Sequence, residues 1–172
     1  MKKDSFSGLS WMTEEIRNEI NLRDKIVKEE DIEKLFSLND NSDFSIALYE
    51  ILVKRNKKKT NSLNEIELNL FLCMNLENAG QADSILIFLQ EWFPKHNEKT
   101  IKSLNEIGAT KSSEIIKKAI ELLPKNGSWF FDSSNEESEK LMSKLDSDFS
   151  NYPDGYLRNL YRKYAERNRS RI

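Results

Sequence analysis

The chain has 172 residues, of which 38% are hydrophobic and 33% are charged, and it contains only 5 glycines and 3 prolines. This hydrophobic content is enough for a buried core and excludes a disordered chain, while the scarcity of turn-forming residues favours helices over hairpins. A formal net charge of −2 excludes a strong overall basic field of the kind that attracts nucleic acid.

The cysteine count and the hydropathy pattern set expectations about location. Cys73 is the only cysteine, so no internal disulfide is expected and a reducing compartment suits the chain. No stretch reaches the ~18 apolar residues of a membrane span. No apolar run follows the lysines at the start of the sequence, so no signal peptide is predicted. We therefore expect a cytoplasmic protein without a membrane partner.

Residues 1–60 are predicted to form an N-terminal helical layer. Thr13 can cap a first helix, Asp31 can begin a short second one, and a polar turn follows at residues 39–43. A third helix then leads into Lys54–Lys59, whose positive charge complements the negative C-terminal end of a helix dipole.

Residues 61–172 are predicted to form the helical core. Ser62 and Glu65 have the spacing of a capping box. The helix after them is apolar over much of its surface from Leu68 to Leu76, which indicates a central, well-covered helix. A buried helix from Ile85 to Phe93 is predicted next.

The segment Ser103–Gly127 carries the clearest signal, a corner between two helices. Gly108 stands where a helix ends in a left-handed residue. Ser112 or Ser113 can cap the following helix, and Pro124 closes it.

Two more helices are predicted after a loop that contains the aromatic run Trp129–Phe131. The run either contacts a partner or folds back on the core. The first of these helices spans about residues 136–149 and the second begins near residue 156. The expected fold is therefore all-α, with about eight or nine helices in a single compact domain.

No residue pattern predicts catalysis, a cofactor or a metal site. A nucleophilic pair of Cys73 and His96 would need an accessible thiol and a third orienting group, but Cys73 lies in an apolar stretch. Asp146, Asp148 and Asp154 lack the ligand spacing of a calcium loop, and local capping explains them better. We expect a protein that is not an enzyme.

Charge is unevenly distributed along the chain. Residues 61–156 contain 16 acidic and 9 basic residues, a net charge of −7, and residues 157–172 contain 1 acidic and 6 basic residues, a net charge of +5. A solvated helical surface is the ordinary explanation of such acids, but carboxylates spaced like phosphates would fit the basic groove of a DNA-binding protein. The basic segments Lys54–Lys59 and Arg158–Arg171 can contact phosphates, although the tyrosines of the second have the helical spacing of core residues.

The corner SLNEIGATKSSEIIKKAIELLP resembles the "IGA" segment of a bacterial family of unknown function, whose characterised member is a DNA-mimic protein that binds a transcription factor. LENAGQADSILIFLQEWF and LDSDFSNYPDGYLRNLYRKYAERN resemble that family's flanking segments in the same order, so the resemblance covers roughly residues 65–168. The chain departs from the family's pattern at Asn78–Gln81, where one glycine and a phenylalanine are missing, and it is much less acidic than the mimic. The resemblance implies an all-α fold, a protein-binding habit and no catalytic residues.

The leading hypothesis is a non-enzymatic interaction protein that presents an acidic helical face to a basic partner such as a DNA-binding protein. The predicted face residues are Glu77, Asp83, Glu91, Glu98 and Glu106. Two alternatives stay open: an immunity or antitoxin-like inhibitor of a partner enzyme, and a nucleic-acid binder that uses the two basic segments. A homodimer is also open.

Overall fold

The computed structural model describes residues 12–58 and 62–172, and this part of the chain forms nine α-helices and no strands. The all-α prediction is confirmed. The helices are α1 (Glu14–Glu29), α2 (Ile32–Leu35), α3 (Asn41–Lys58), α4 (Glu65–Ala82), α5 (Ile85–Ile87), α6 (Asn97–Ile107), α7 (Thr110–Glu121), α8 (Glu136–Ser150) and α9 (Leu157–Arg167). A π-helical turn at Phe88–Trp92 continues α5, and 3₁₀ turns lie at Pro94–His96, Phe130–Asp132 and Arg169–Arg171.

The fold is organised around α4, which is apolar on almost every side. Of its 18 residues, 12 are buried, and α3, α5, α6, α8 and α9 pack around it. Leu70, Leu72 and Leu76 have no exposed surface, and burial of each contributes about 1.5–3 kcal/mol to stability. The prediction of a central helix is confirmed.

The residues that cap α4 differ from those predicted. Asn64, not Ser62, is the N-cap: its side-chain oxygen accepts the backbone N–H groups of Ile66 and Glu67, and the Glu67 carboxylate accepts the N–H of Asn64. Glu67 is therefore the acidic partner in the capping box, and the predicted Glu65 is not. The Ser62 hydroxyl instead donates to the carbonyl of Arg55 at 2.6 Å.

The N-terminal helices are fastened to the core through α3, which packs against α1, α4 and α9. Arg162 of α9 donates to the carbonyls of Leu38 at 2.6 Å and Phe36 at 3.3 Å. At the other end of α3, Arg55 forms ion pairs with Glu30 and with the buried Glu67. Buried or half-buried polar contacts thus join this layer to the core.

At the corner between α6 and α7, the end of α6 forms as predicted. Gly108 has a φ of 91°, and the N–H of Ala109 bonds to the carbonyl of Leu104, as in a Schellman motif. The predicted caps of α7 are wrong, because Ser112 and Ser113 lie inside the helix. Asp154 caps it from the loop before α9, since its carboxylate accepts the N–H groups of Lys111 and Ser112 at 3.0 and 2.7 Å.

Among the residues that the structure describes, no helix is long and apolar enough to cross a bilayer.

Candidate partner-binding surface

The five acids predicted to form a binding face lie in different surroundings. Glu91 in the π-helical turn and Glu98 in the first turn of α6 are exposed. Glu106, near the end of α6, is also exposed, but it lines a depression together with Arg167 and Arg171. The field around Glu106 is therefore partly neutralised by the basic C-terminal segment.

The other two acids lie at depressions on either side of the last turns of α4. Glu77 is half-buried in a chamber between α3, α4 and the start of α9. Asp83, directly after α4, is exposed and lines a groove that contains two further carboxylates. The structure thus groups Asp83 with acids that the sequence did not single out, and separates it from Glu77 and Glu106.

Close packing of α4 on α8 builds one wall of the groove that Asp83 lines. A Cβ added at Gly80 would lie 3.0 Å from the ring of Phe149, so only glycine allows this approach without a shift. The hydroxyl of Ser150 donates to the carbonyl of Gly80 at 2.9 Å, and Gln81 donates to the carbonyl of Ser150 at 3.1 Å. These contacts fix the end of α4 against the end of α8.

Asp146 of α8 holds the start of α5 at the floor of the groove. Ser84 precedes α5 but makes no side-chain cap, and the Asp146 carboxylate instead accepts the N–H of Ile85 at 2.7 Å. Burial raises the pKa of Asp146, the hydrogen bond from Ile85 opposes the rise, and the negative charge of Asp83 adds to it. Two carboxylates therefore lie close enough to affect each other.

The aromatic run forms the opposite wall of the groove, and hydrogen bonds with Gln90 hold it in place. The Gln90 side chain accepts the N–H of Phe130 at 2.8 Å and donates to the carbonyl of Ser128 at 2.9 Å. Phe130 is 1% exposed and anchors the loop in the core, whereas Phe131 is 54% exposed. The two alternatives predicted for this run thus apply to different residues. Phe130 packs back on the core, and the side chain of Phe131 is exposed and accessible to a partner.

Together these elements form what we call the acidic groove, a depression of about 460 Å³. Its apolar lining comes from α5, the aromatic run and α8, and its carboxylates are those of Asp83, Glu139 and Asp146. The Ser134 hydroxyl donates to Glu139 at 2.6 Å. No lysine or arginine among the described residues pairs with any of the three carboxylates. An apolar floor beside unpaired carboxylates suits a partner segment that is both apolar and basic.

Little in the sequence indicated that α8 contributes to this groove. Glu139 and Asp146 lie two helical turns apart, about 10.5 Å along the axis, on a helix where Glu136 and Asp148 pair with Lys140 and Lys144. The pairing of Glu136 and Asp148 was readable from i, i+4 spacing. The proximity of Asp83 to Glu139 and Asp146 could not be predicted from spacing, because it depends on how α4 and α8 pack.

Three cations of the first basic segment have structural partners, and Lys59 lies outside the described residues. Lys54 donates to the carbonyl of Val27 at 2.8 Å, and Arg55 and Lys58 both pair with Glu30. The hydrogen bond from Lys58 is the main reason that the pKa of the Glu30 carboxyl lies below its usual value.

The second basic segment is engaged in the same way. Besides its bonds to the N-terminal layer, Arg162 pairs with Glu166 at 2.9 Å. Arg169 pairs with Glu33 and lies 4.6 Å from the ring centroid of Phe36. These contacts give several of the cations a role in the fold, which weakens the reading of the two segments as a phosphate-binding surface.

The residues weighed for catalysis and metal binding have other roles. Cys73 is fully buried, and burial raises the pKa of its thiol far above the usual range, the opposite of what a nucleophile needs. Of the three aspartates weighed for calcium, Asp146 and Asp154 cap helices and Asp148 pairs with Lys144. Within residues 12–58 and 62–172, no cluster of potential metal ligands is found.

Comparison with known proteins gives one match. A family model described as DMP19-like protein matches residues 61–168, a range that contains α4 to α9 and every residue of the acidic groove. No curated protein and no solved structure matches the chain.

Proposed function

The chain belongs to the DMP19-like family, a family of DNA mimics, and we propose that it is a non-enzymatic interaction protein whose acidic groove binds a basic, DNA-binding protein. The family supports a protein-binding role of the DNA-mimic kind, and the choice of surface and partner is our proposal. It is a protein-recognition role, so no cofactor or metal is required.

The observation that carries the proposal is the set of unpaired carboxylates at the acidic groove. On α8, Glu136 and Asp148 pair with neighbouring lysines, and the unpaired Glu137 lies outside the groove, whereas Asp83, Glu139 and Asp146 lie beside apolar surface without an ion pair to a described lysine or arginine. Carboxylates clustered in a depression create a local negative potential that attracts a cationic partner more strongly than isolated charges do. Phe131 adds an exposed aromatic side chain of the type enriched at interfaces.

The uneven distribution of charge along the chain makes residues 61–156 the part that a basic partner would bind. Residues 61–156 carry a net charge of −7, and residues 157–172 carry a net charge of +5. Mimicry therefore does not require the whole molecule to be acidic. A local acidic surface can bind a basic groove even though the chain carries basic residues elsewhere, because at physiological salt charges more than ~8 Å apart are largely screened from each other.

The test starts from the partner captured by the protein from its source cell, which is then purified and titrated at rising salt. The variant Asp83→Asn with Glu139→Gln removes two groove charges and keeps Asp146, which caps α5. We expect binding to weaken about fivefold to tenfold, since exposed charges contribute about 0.2–1 kcal/mol each, and the salt dependence to become shallower.

The matched control is Glu14→Gln with Glu19→Gln, which removes the same charge from exposed sites on α1, outside the matched range. It should bind like the unchanged protein. Equal loss in both variants would mean that only net charge matters, and no loss in the groove variant would exclude the acidic groove as the binding surface. A partner that proves to be an enzyme inhibited by the protein would favour the antitoxin-like alternative.

A further inference from the structure

A second depression, distinct from the acidic groove, encloses Glu77. It has a volume of about 390 Å³, lies between α3, α4 and the segment from Tyr152 to Tyr161, and we call it the Glu77 chamber. This volume falls within the range of small-molecule sites. Tyr49, Tyr152 and Tyr161 line it together with Met74, so aromatic and polarisable side chains form part of its walls.

The half-buried Glu77 has no ion-pair partner among the described residues. Burial raises its pKa, while contacts with the hydroxyls of Tyr161 and Tyr152, and the charge of Arg158, oppose the rise. No ion pair joins Glu77 to a lysine or arginine among the described residues, although buried carboxylates in proteins are normally paired.

The two tyrosines do not satisfy this carboxyl group. The hydroxyl of Tyr161 also donates to the carbonyl of Cys73 at 3.1 Å, and a phenol has a single hydrogen to donate. When that hydrogen is on the Cys73 carbonyl, only Tyr152 is left to donate to Glu77. An ionised carboxylate has about four lone-pair sites, so this carboxyl group can accept further hydrogen bonds from a ligand.

Two other polar groups at the chamber are also available to a cationic ligand. The hydroxyl of Ser45 is buried and has no hydrogen-bond partner, and the carboxylate of Glu50 lies at the chamber wall. Arg158 also lines the chamber, but its guanidinium lies 4.5 Å from the ring centroid of Tyr156. Two carboxylates and one guanidinium leave the chamber with an excess of negative charge.

We propose that the Glu77 chamber binds a primary ammonium group carried on an aliphatic chain. The ammonium would donate to Glu77 and to the hydroxyl of Ser45, and the chain would lie against the tyrosine rings. Aromatic faces attract organic cations, and a primary ammonium supplies three donors, which can go to the Glu77 carboxylate and the Ser45 hydroxyl. Excess negative charge disfavours an anion, and the few oxygen ligands disfavour a hard metal ion.

Calorimetric titration with 1-aminopentane tests the proposal, with 1-pentanol as a probe of the same chain length but no charge. We expect the amine to bind and the alcohol to bind at least tenfold more weakly. Glu77→Gln keeps the shape of the side chain and removes its charge, and should weaken amine binding about tenfold or more, since a hydrogen bond to a charged group is lost. Glu14→Gln, on α1, removes an equal charge outside both depressions and should leave binding unchanged.

A second variant keeps the test independent of any disturbance that Glu77→Gln causes. Ser45→Leu places an apolar side chain at the chamber wall and should also abolish amine binding, with circular dichroism confirming that each variant is folded. Comparing 1,5-diaminopentane with Nα-acetyl-lysine methylamide separates a free diamine from a lysine side chain of a protein, and either result supports the site. Equal binding of amine and alcohol, or full binding by Glu77→Gln, would overturn the proposal.

Discussion

Helices α4 and α8 approach closely at Gly80 and Phe149. Whether Gly80→Ala raises or lowers the stability of the protein therefore depends on which is larger, the gain in helix propensity or the cost of overpacking. In Gly80→Ala the new Cβ meets two atoms of the Phe149 ring at 3.0 Å and Ile85 at 3.4 Å. Replacing glycine by alanine inside a helix gains about 1 kcal/mol of intrinsic propensity. Overpacking a core costs about 1–3 kcal/mol.

Packing is expected to decide the sign, because Phe149 cannot move away. Its ring is 2% exposed, and the neighbouring Ser150 is tied to Gly80 by a hydrogen bond. We therefore expect Gly80→Ala to lower stability by about 1 kcal/mol, which for a chain of this size lowers the melting temperature by about 2–4 °C. Urea unfolding followed by circular dichroism measures the change.

Phe149→Leu provides the matched background for this measurement. Removing the ring should relieve the clash, so Gly80→Ala should be neutral or stabilising in that background, and the two changes should not be additive. If Gly80→Ala alone stabilises the protein by the full helix-propensity gain, α4 and α8 do not pack as described, and the wall of the acidic groove is misplaced.

Three further predictions concern single side chains. Asp154→Ala should cost about 1–2 kcal/mol through the lost cap of α7, with faster hydrogen exchange at the first amides of that helix, whereas Ser112→Ala should cost less; similar costs for the two would argue against the cap. Because the fold raises the pKa of Glu77 above its ordinary value of 4.5, the native protein binds more protons there than the unfolded chain, and stability should fall as pH rises from about 4.5 through the raised value. The stability of Glu77→Gln should not fall in this way. Urea unfolding at several pH values should therefore show the stability of the variant rising relative to that of the unchanged protein as pH rises. A stability difference that does not change with pH would refute the burial of Glu77. The thiol of Cys73, buried and with a raised pKa, should react with a disulfide reagent only as fast as the protein unfolds, and rapid reaction in the native state would show that α4 is accessible.

The sequence predicted the helices well because helical periodicity is a local property. Gly108 marked the end of α6, and the apolar stretch from Leu68 to Leu76 marked the central helix. The caps were predicted less well. Ser62 and Asn64 both precede a glutamate at i+3, and spacing alone could not choose between them.

The arrangement of charged residues was the least predictable part. Asp154 caps a helix that begins more than 40 residues earlier, and Asp83 meets Asp146 only because α4 packs on α8. Glu77 was predicted to be on the exposed face of its helix, but the segment containing Tyr152 and Tyr161 covers it. Such contacts depend on long-range packing, for which helical periodicity in one sequence carries no signal.

Competition with DNA tests the central claim most directly. A fluorescently labelled duplex is bound to the partner captured from the source cell, and the protein is added while fluorescence anisotropy is followed. If the acidic groove occupies the DNA-binding surface of that partner, the duplex is released, and the variant Asp83→Asn with Glu139→Gln requires about fivefold to tenfold more protein for the same release. A complex in which duplex, partner and protein are all bound together would contradict DNA mimicry.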